Sequence, residues 1–269
     1  MQTQFAAQSW TFRSEISATS ICDLLVRLKK SGYEAIEISE TGNMALGDFV
    51  SAVKDAKLRV SGIHLPCLWG VQKSKGEIRS ALKHVFELLP ERTPKHPTLL
   101  SFMGHPTMLR GSKGLIRERY NHLGDLIRLV RQVFGSHRNI VFGYHMYDFD
   151  YLAPSDCINT IVDAGARLVI DTYFANVASV DPIMVAADWK GAVVSAHLND
   201  YDGREHKSLG SGTGNLSRFA EALARKVGQL HSLVVEHEPK STLGTEMLIN
   251  SARYVEKCQL LNVYHDNLR

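Results

Sequence analysis

Short apolar runs rich in β-branched and aromatic residues alternate along the chain with longer segments whose apolar positions recur at helical spacing. The strand-like runs are Phe5–Trp10, Tyr33–Ile38, Arg59–His64, Thr98–Phe102, Asn139–His145, Arg167–Asp171, Ala192–His197 and Ser232–Glu236. Between and after them lie helical patterns over Cys22–Lys30, Met44–Ala56, Glu77–Leu88, Leu115–Phe134, Ser155–Ala164, Pro182–Asp188, Leu216–Val227 and Gly244–Cys258. Strands that alternate with helices predict an α/β fold with a parallel sheet, and eight such units close into a single (β/α)8 TIM barrel. Ile38 to His64, His145 to Asp171 and Asp171 to His197 are each 26 residues apart, a spacing that suits one strand–helix unit. A doubly wound open sheet would carry a glycine-rich turn after its first strand, and TFRSEISATS after Trp10 has no glycine. No linker, low-complexity tract or charge block interrupts the pattern, so residues 1–269 read as one domain.

Composition narrows the function classes. With 44% hydrophobic and 22% charged residues the chain has the balance of a globular protein. Its net charge of +3 comes with scattered basic residues, which argues against a nucleic-acid partner. Cys22, Cys67, Cys157 and Cys258 form no CxxC pair, so neither thiolate zinc nor a disulfide scaffold is expected. The first residues lack a charged segment followed by an apolar one, and no run approaches the length of a membrane span; a cytoplasmic protein with no membrane partner is the expectation.

The chemistry concentrates at strand ends. Barrel active sites form at the C-terminal face, and strands five to eight end in YHMYDFDY, VIDTYF, SAHLND and VVEHEP. Each delivers an ionisable group after an apolar stretch: His145, Asp171, His197 and Glu236. Two imidazoles and two carboxylates converging in one basin call for a cation, because buried charge is costly unless it is paired or metal-bound. The expected cofactor is one divalent metal ion, manganese or zinc ahead of magnesium or cobalt. Glu37, His64 and His105 come from or follow strands two to four, and Asp148, Asp200, His206, His237 and Glu238 flank the four ligands. His105 and His237 read equally as solvent-facing loop histidines. Arg204 and Lys207, on the loop after strand seven, are candidates to hold a sugar hydroxyl or carboxylate. Trp10, Trp69 and Phe174 would offer an apolar wall to the C–H face of a sugar ring. The stretch SLGSGTGNL, Ser208 to Leu216, matches neither phosphate fingerprint; it reads as a flexible loop over the site, with Asn215 capping the next helix.

GYEAIEI, VSGIHLP, GYHMYDFDY, IDTYFANVASVDP, AHLNDYDGREHKSLGSGTGNL and VVEHEP, in this order, resemble the xylose isomerase-like TIM barrels, the sugar phosphate isomerase/epimerase superfamily that includes inosose and dehydroshikimate dehydratases. The resemblance implies one divalent metal on strands five to eight, held commonly by Glu, Asp, His and Glu. Asp171, His197 and Glu236 fall on the last three positions, while His145 stands where many isomerases and epimerases carry glutamate. Phe174 stands where many relatives have a second histidine.

The implied activity is isomerisation or epimerisation of a small sugar or polyol by proton abstraction next to a carbonyl. Glu236 is the expected base, and His145, His64, Glu37 or Glu238 the second proton carrier. Because His145 breaks the symmetry of two facing glutamates, loss of water by an inosose dehydratase-like lyase is the alternative. A sugar-binding barrel without catalysis, and a three-zinc repair enzyme like endonuclease IV, are the other readings. A homodimer paired through the helices is expected.

Overall fold

The computed structural model describes residues 3–16, 21–65, 75–83, 85, 97–103, 113–134, 140–238 and 244–268. Eight parallel strands close into a barrel in chain order: β1 Gln4–Gln8, β2 Ala35–Ile38, β3 Arg59–His64, β4 Thr98–Met103, β5 Ile140–His145, β6 Arg167–Asp171, β7 Val193–Leu198 and β10 Ser232–Val235. A two-stranded antiparallel hairpin, β8 Asp200–Tyr201 with β9 His206–Lys207, stands beyond β7. β1 closes the ring against β10 with Phe5 opposite Leu233 and Ala7 opposite Val235.

Alternation along the strands divides the apolar interior in two. Phe5, Ala7, Ile36, Ile38, Leu233 and Val235 belong to the large core between barrel and helices. Ala6, Ala35 and Val234 form a small separate cluster. Side chains of alternate residues leave a strand on opposite faces, so these three are the ones that point into the barrel. Two residues further along the same faces come Gln8, Glu37 and Glu236. The barrel interior therefore passes from apolar to polar towards the C-terminal ends of its strands.

All eight expected helical segments contain a helix, with ends shifted by a few residues: Ile21–Lys30, Leu46–Asp55, Lys75–Ala81, Lys113–Phe134, Ser155–Asp163, Pro182–Asp188, Leu216–Lys226 and Gly244–Lys257. Among the described residues, four further short helical elements lie beyond those expected: a 3-10 turn at Ser9–Phe12 and helices at Asp148–Tyr151, Thr172–Val177 and Leu260–Asp266. Three of them directly follow β1, β5 and β6 or the residues just beyond, where they set the direction in which the chain leaves the site. Trp10, expected at the end of a strand, sits on the 3-10 turn. No helix among the described residues is long and apolar enough to cross a membrane.

Candidate metal centre

Register places two of the candidate ligands side by side, with Asp171 on β6 paired to His197 on β7. His145 ends β5, and Glu236 is the first residue past β10. His145 Nε2 lies 3.2 Å from His197 Nδ1, 3.4 Å from Asp171 Oδ2 and 3.9 Å from Glu236 Oε2. His197 Nδ1 lies 2.6 Å from Glu236 Oε2 and 3.9 Å from Asp171 Oδ2. One donor atom of each residue thus falls within 4.8 Å of every other.

These separations suit a cation. Metal–ligand bonds of about 2.1 Å in a tetrahedron need ligand atoms about 3.4 Å apart, and the five distances scatter around that value. His145, Asp171 and His197 are buried, and only Glu236 retains some exposure. Among the described residues no lysine or arginine is paired with any of the four. Two carboxylates and two imidazoles therefore meet with no lysine or arginine among the described residues to balance them.

Asp171 is held from several sides. Its Oδ1 accepts from the backbone N–H of Tyr173 and Phe174, so the same side chain caps the helix Thr172–Val177. Asn199 Nδ2 lies 3.1 Å from both carboxylate oxygens. Burial pushes the Asp171 carboxyl up, but hydrogen bonding from His145 and the nearby imidazole charge hold it below the usual range. For His145 burial dominates and lowers the imidazole pKa.

A second carboxylate lies behind the first set. Glu37 on β2 is wholly buried and lies beside Gln8 in the β1–β2 register. Its Oε2 stands 2.8 Å from His197 Nε2, 2.9 Å from His64 Nε2 and 3.1 Å from Gln8 Nε2. His197 thus turns Nδ1 to the ligand cluster and Nε2 to Glu37. A carboxylate behind a metal-binding imidazole fixes the ring and raises its basicity. Burial opposes charge on both groups, yet each outweighs that penalty for the other: Glu37 is held well below the carboxylate range, and His197 is raised well above the ordinary imidazole value. Gly62 on β3 makes room for this arrangement. A Cβ there would lie 3.0 Å from the Leu99 carbonyl oxygen and 3.1 Å from Glu37 Oε1.

A cavity of about 200 Å³ opens beside the cluster, lined by Gln8, Trp10, Ser39, His64, Met103, His145, Tyr147, Phe174, Glu236 and Glu238. Tyr147 and Phe174 meet the His145 ring edge-on, with centroids 5.0 and 5.9 Å away. Trp10 Nε1 donates to Glu238, and the Arg13 guanidinium lies 3.8 Å over the indole while also pairing with Glu238. Trp10 and Glu238 are therefore joined at the cavity rim.

Other expected site residues stand elsewhere. Asp200 does not face the cavity: it is fully buried, and its carboxylate accepts from the backbone N–H of Gly210, Gly212 and Gly214 at 2.8, 3.0 and 3.0 Å. Gly212 must be glycine for this approach, because a Cβ there would sit 2.2 Å from Asp200 Oδ1. The glycine stretch is accordingly pinned rather than loose, and Asn215 caps the helix behind it through Arg218 N. Lys207 is occupied by Glu205 and Asp202, at 2.6 and 3.2 Å. Arg204 is exposed on the hairpin turn. His237 is fully buried, bonded to Ser251 Oγ at 2.9 Å, because strand alternation turns it away from the side that Glu236 faces. Asp148 is half-buried on the helix Asp148–Tyr151. Trp69 and His105 lie outside the described residues, as does Cys67. Gln8, Tyr151 and Asn199 were not anticipated. All three act on a ligand or on Glu37 from another strand or loop, and only alternation within β1, which turns Gln8 the same way as Ala6, hinted at any of them.

No protein-family model matches the chain, and no curated protein matches it. Solved structures do. A sugar phosphate isomerase/epimerase from Parabacteroides distasonis is 17% identical, with a TM-score of 0.73 over 97% of this chain and 96% of that one. The probable 3-DHS dehydratase AsbF of petrobactin synthesis in Bacillus anthracis is 12% identical, with a TM-score of 0.68 over 94% and 99%. An IOLI protein with a bound zinc atom is 15% identical, with a TM-score of 0.68 over 98% and 99%. At these identities the likeness is one of fold, the barrel of the sugar phosphate isomerase/epimerase and xylose isomerase-like structures.

Proposed function

We propose that this barrel is a divalent-metal-dependent enzyme that takes a proton from the carbon next to a carbonyl in a small sugar or polyol, leading to isomerisation or epimerisation. The observation that carries this reading is the convergence of His145 Nε2, Asp171 Oδ2, His197 Nδ1 and Glu236 Oε2 beside a cavity of sugar dimensions. The bound cation, zinc or manganese for a mixed nitrogen and oxygen set, would polarise the carbonyl and so acidify the neighbouring C–H.

The side chains divide the remaining work. Glu236 is the one carboxylate of the four that lines the cavity, which makes it the base. Glu37 lies behind His64 and His197 and does not line the cavity, so its part is to orient them. His64 also lines the cavity and lies outside those four, so it is the imidazole that can return a proton to the substrate, while His145 Nε2 is committed to the cluster. Trp10, Tyr147 and Phe174 supply the apolar wall for the C–H face of the ring.

One feature favours a second outcome. Glu236 faces an imidazole, not another carboxylate, across the cluster, so the two sides of the site differ in basicity. One strong base opposite a weak acid is what β-elimination of water from a keto-sugar or keto-cyclitol needs. The neighbour from Bacillus anthracis carries a dehydratase name.

Metal content and deuterium incorporation into keto-sugars, measured for Asp171→Ala and Glu236→Gln, test the reading. Loss of metal in the first variant, and loss of exchange with metal retained or weakened in the second, are expected. Unchanged metal and exchange in both would sink the site assignment, and a product lighter by one water would select elimination. Sugar binding without exchange in the unaltered protein would leave a binding barrel.

A further inference from the structure

The hairpin after β7 carries one more imidazole, His206, near enough to Asp171, Glu236 and Glu238 to feel their charge, although it is not among the residues that line the cavity. His206 pairs with Tyr201 across the β8–β9 hairpin, and its ring lies over Tyr173 with centroids 3.9 Å apart. Tyr173 adjoins Phe174, part of the cavity wall, and the two rings meet edge-on at 5.1 Å.

A chain of hydrogen bonds decides which nitrogen of His206 carries the proton. The Asp171 carboxylate only accepts hydrogen bonds. Asn199 lies 3.1 Å from both of its oxygens, so the nitrogen of the Asn199 amide must face Asp171. The backbone of Asn199 is locked as well: its N–H donates to Thr172 Oγ1 at 2.8 Å, and that hydroxyl donates to the Asn199 carbonyl at 2.8 Å. With the amide nitrogen committed, Asn199 Oδ1 faces the other way, 3.1 Å from His206 Nδ1. An amide oxygen cannot donate, so Nδ1 bears the hydrogen. The neutral ring then has its lone pair on Nε2. Among the described residues nothing bonds Nε2.

We propose that His206 is a substrate-contacting residue, presenting the Nε2 lone pair to a hydroxyl of the sugar or polyol held over the ligand cluster. This rests on the function proposed above and deepens it. It makes Asp171 do two things at once, with Oδ2 in the cluster and the whole carboxylate orienting His206 through Asn199. Burial lowers the His206 pKa, which keeps the ring neutral and the lone pair free at neutral pH, although Asp171, Glu236 and Glu238 pull the other way.

The test uses zinc-loaded full-length protein labelled with 15N at histidine, and xylitol as an unreactive polyol probe. Two-bond couplings should show His206 protonated at Nδ1 and bare at Nε2. Asn199→Ala should release that preference. Xylitol should shift the Nε2 resonance, and His206→Ala should weaken xylitol binding about tenfold with zinc stoichiometry unchanged. His206→Gln, which restores an acceptor at the Nε2 position, should recover part of the loss. A proton on Nε2, an Nε2 resonance unmoved by xylitol, or equal xylitol affinity in His206→Ala would each overturn the proposal. The catalytic reading fails separately: if xylitol needs His206 while no keto-sugar exchanges a C–H proton, the contact stands and the reaction falls.

Discussion

The Tyr151 hydroxyl grips the backbone of Asp171 at both ends, accepting from its N–H at 2.8 Å and donating to its carbonyl oxygen at 3.0 Å. One phenol at the end of the short helix after β5 thereby sets where β6 delivers its carboxylate. Tyr151→Phe removes both bonds and keeps the ring. The expected loss is about 1–2 kcal/mol in denaturant unfolding. Weaker zinc retention against a chelator should accompany it, and an unchanged affinity would mean that the strand alone positions Asp171.

Glu37 separates two roles that a single variant would confuse. Glu37→Leu removes the carboxylate that bonds His64 Nε2 and Gln8 and lies 2.8 Å from His197 Nε2, and should lower metal affinity by about 10–100-fold. Glu37→Gln keeps an acceptor oxygen and should lie between that variant and the unaltered protein. Isothermal titration reports both affinity and stoichiometry. A fall from two ions to one in either variant would instead make Glu37 a ligand of a second ion.

Gly62→Ala tests the close approach that lets Glu37 turn inward. The added methyl meets backbone at Leu99 and the carboxylate itself. A destabilisation of about 1–3 kcal/mol is expected from overpacking, with metal affinity reduced in the same variant. Full stability by thermal melting would show that β3 can shift to make room.

Asp150 gives the fold a pH dependence away from the ligand cluster. Burial raises its carboxyl to about 7, against hydrogen bonds from the Tyr120 and Tyr144 hydroxyls and the Tyr147 N–H. An unfolded aspartic acid titrates near 4, so the folded chain holds an extra proton between about pH 4 and 7. Stability from this group is then full below that window and declines as pH rises through it, by at most about 1.4 kcal/mol per pH unit. Asp150→Asn should remove this decline. Parallel pH–stability curves for the two proteins would place the Asp150 pKa outside the window.

Strand ends were legible because a barrel strand has to bury both faces until it stops. Val169-Ile170 before Asp171 and Val234-Val235 before Glu236 mark where apolar demand ceases. Three partners of the site had no such signal. Gln8 reaches His64 and Glu37 on two other strands, Tyr151 reaches Asp171 across 20 residues, and Asn199 reaches it across 28. Contacts of that kind depend on how the barrel closes and leave no periodic trace. The helices Asp148–Tyr151 and Thr172–Val177 span four and six residues, too short to show a repeat. His237 does leave a signal, since it adjoins Glu236 and neighbouring residues of an extended segment face opposite ways. Asp200 leaves none, because the glycine N–H groups that capture it lie 10, 12 and 14 residues further along.

The capture of those N–H groups by Asp200 makes the segment from 200 to 214 a closed loop fastened at its base. Its tip, Asp202 to Glu205, is held by local bonds from Asp202 to the N–H groups of Arg204 and Glu205. Tip and base are therefore separable modules. New residues could be grafted at 202–205 while the Asp200 fastening holds the path of the chain after β7 unchanged.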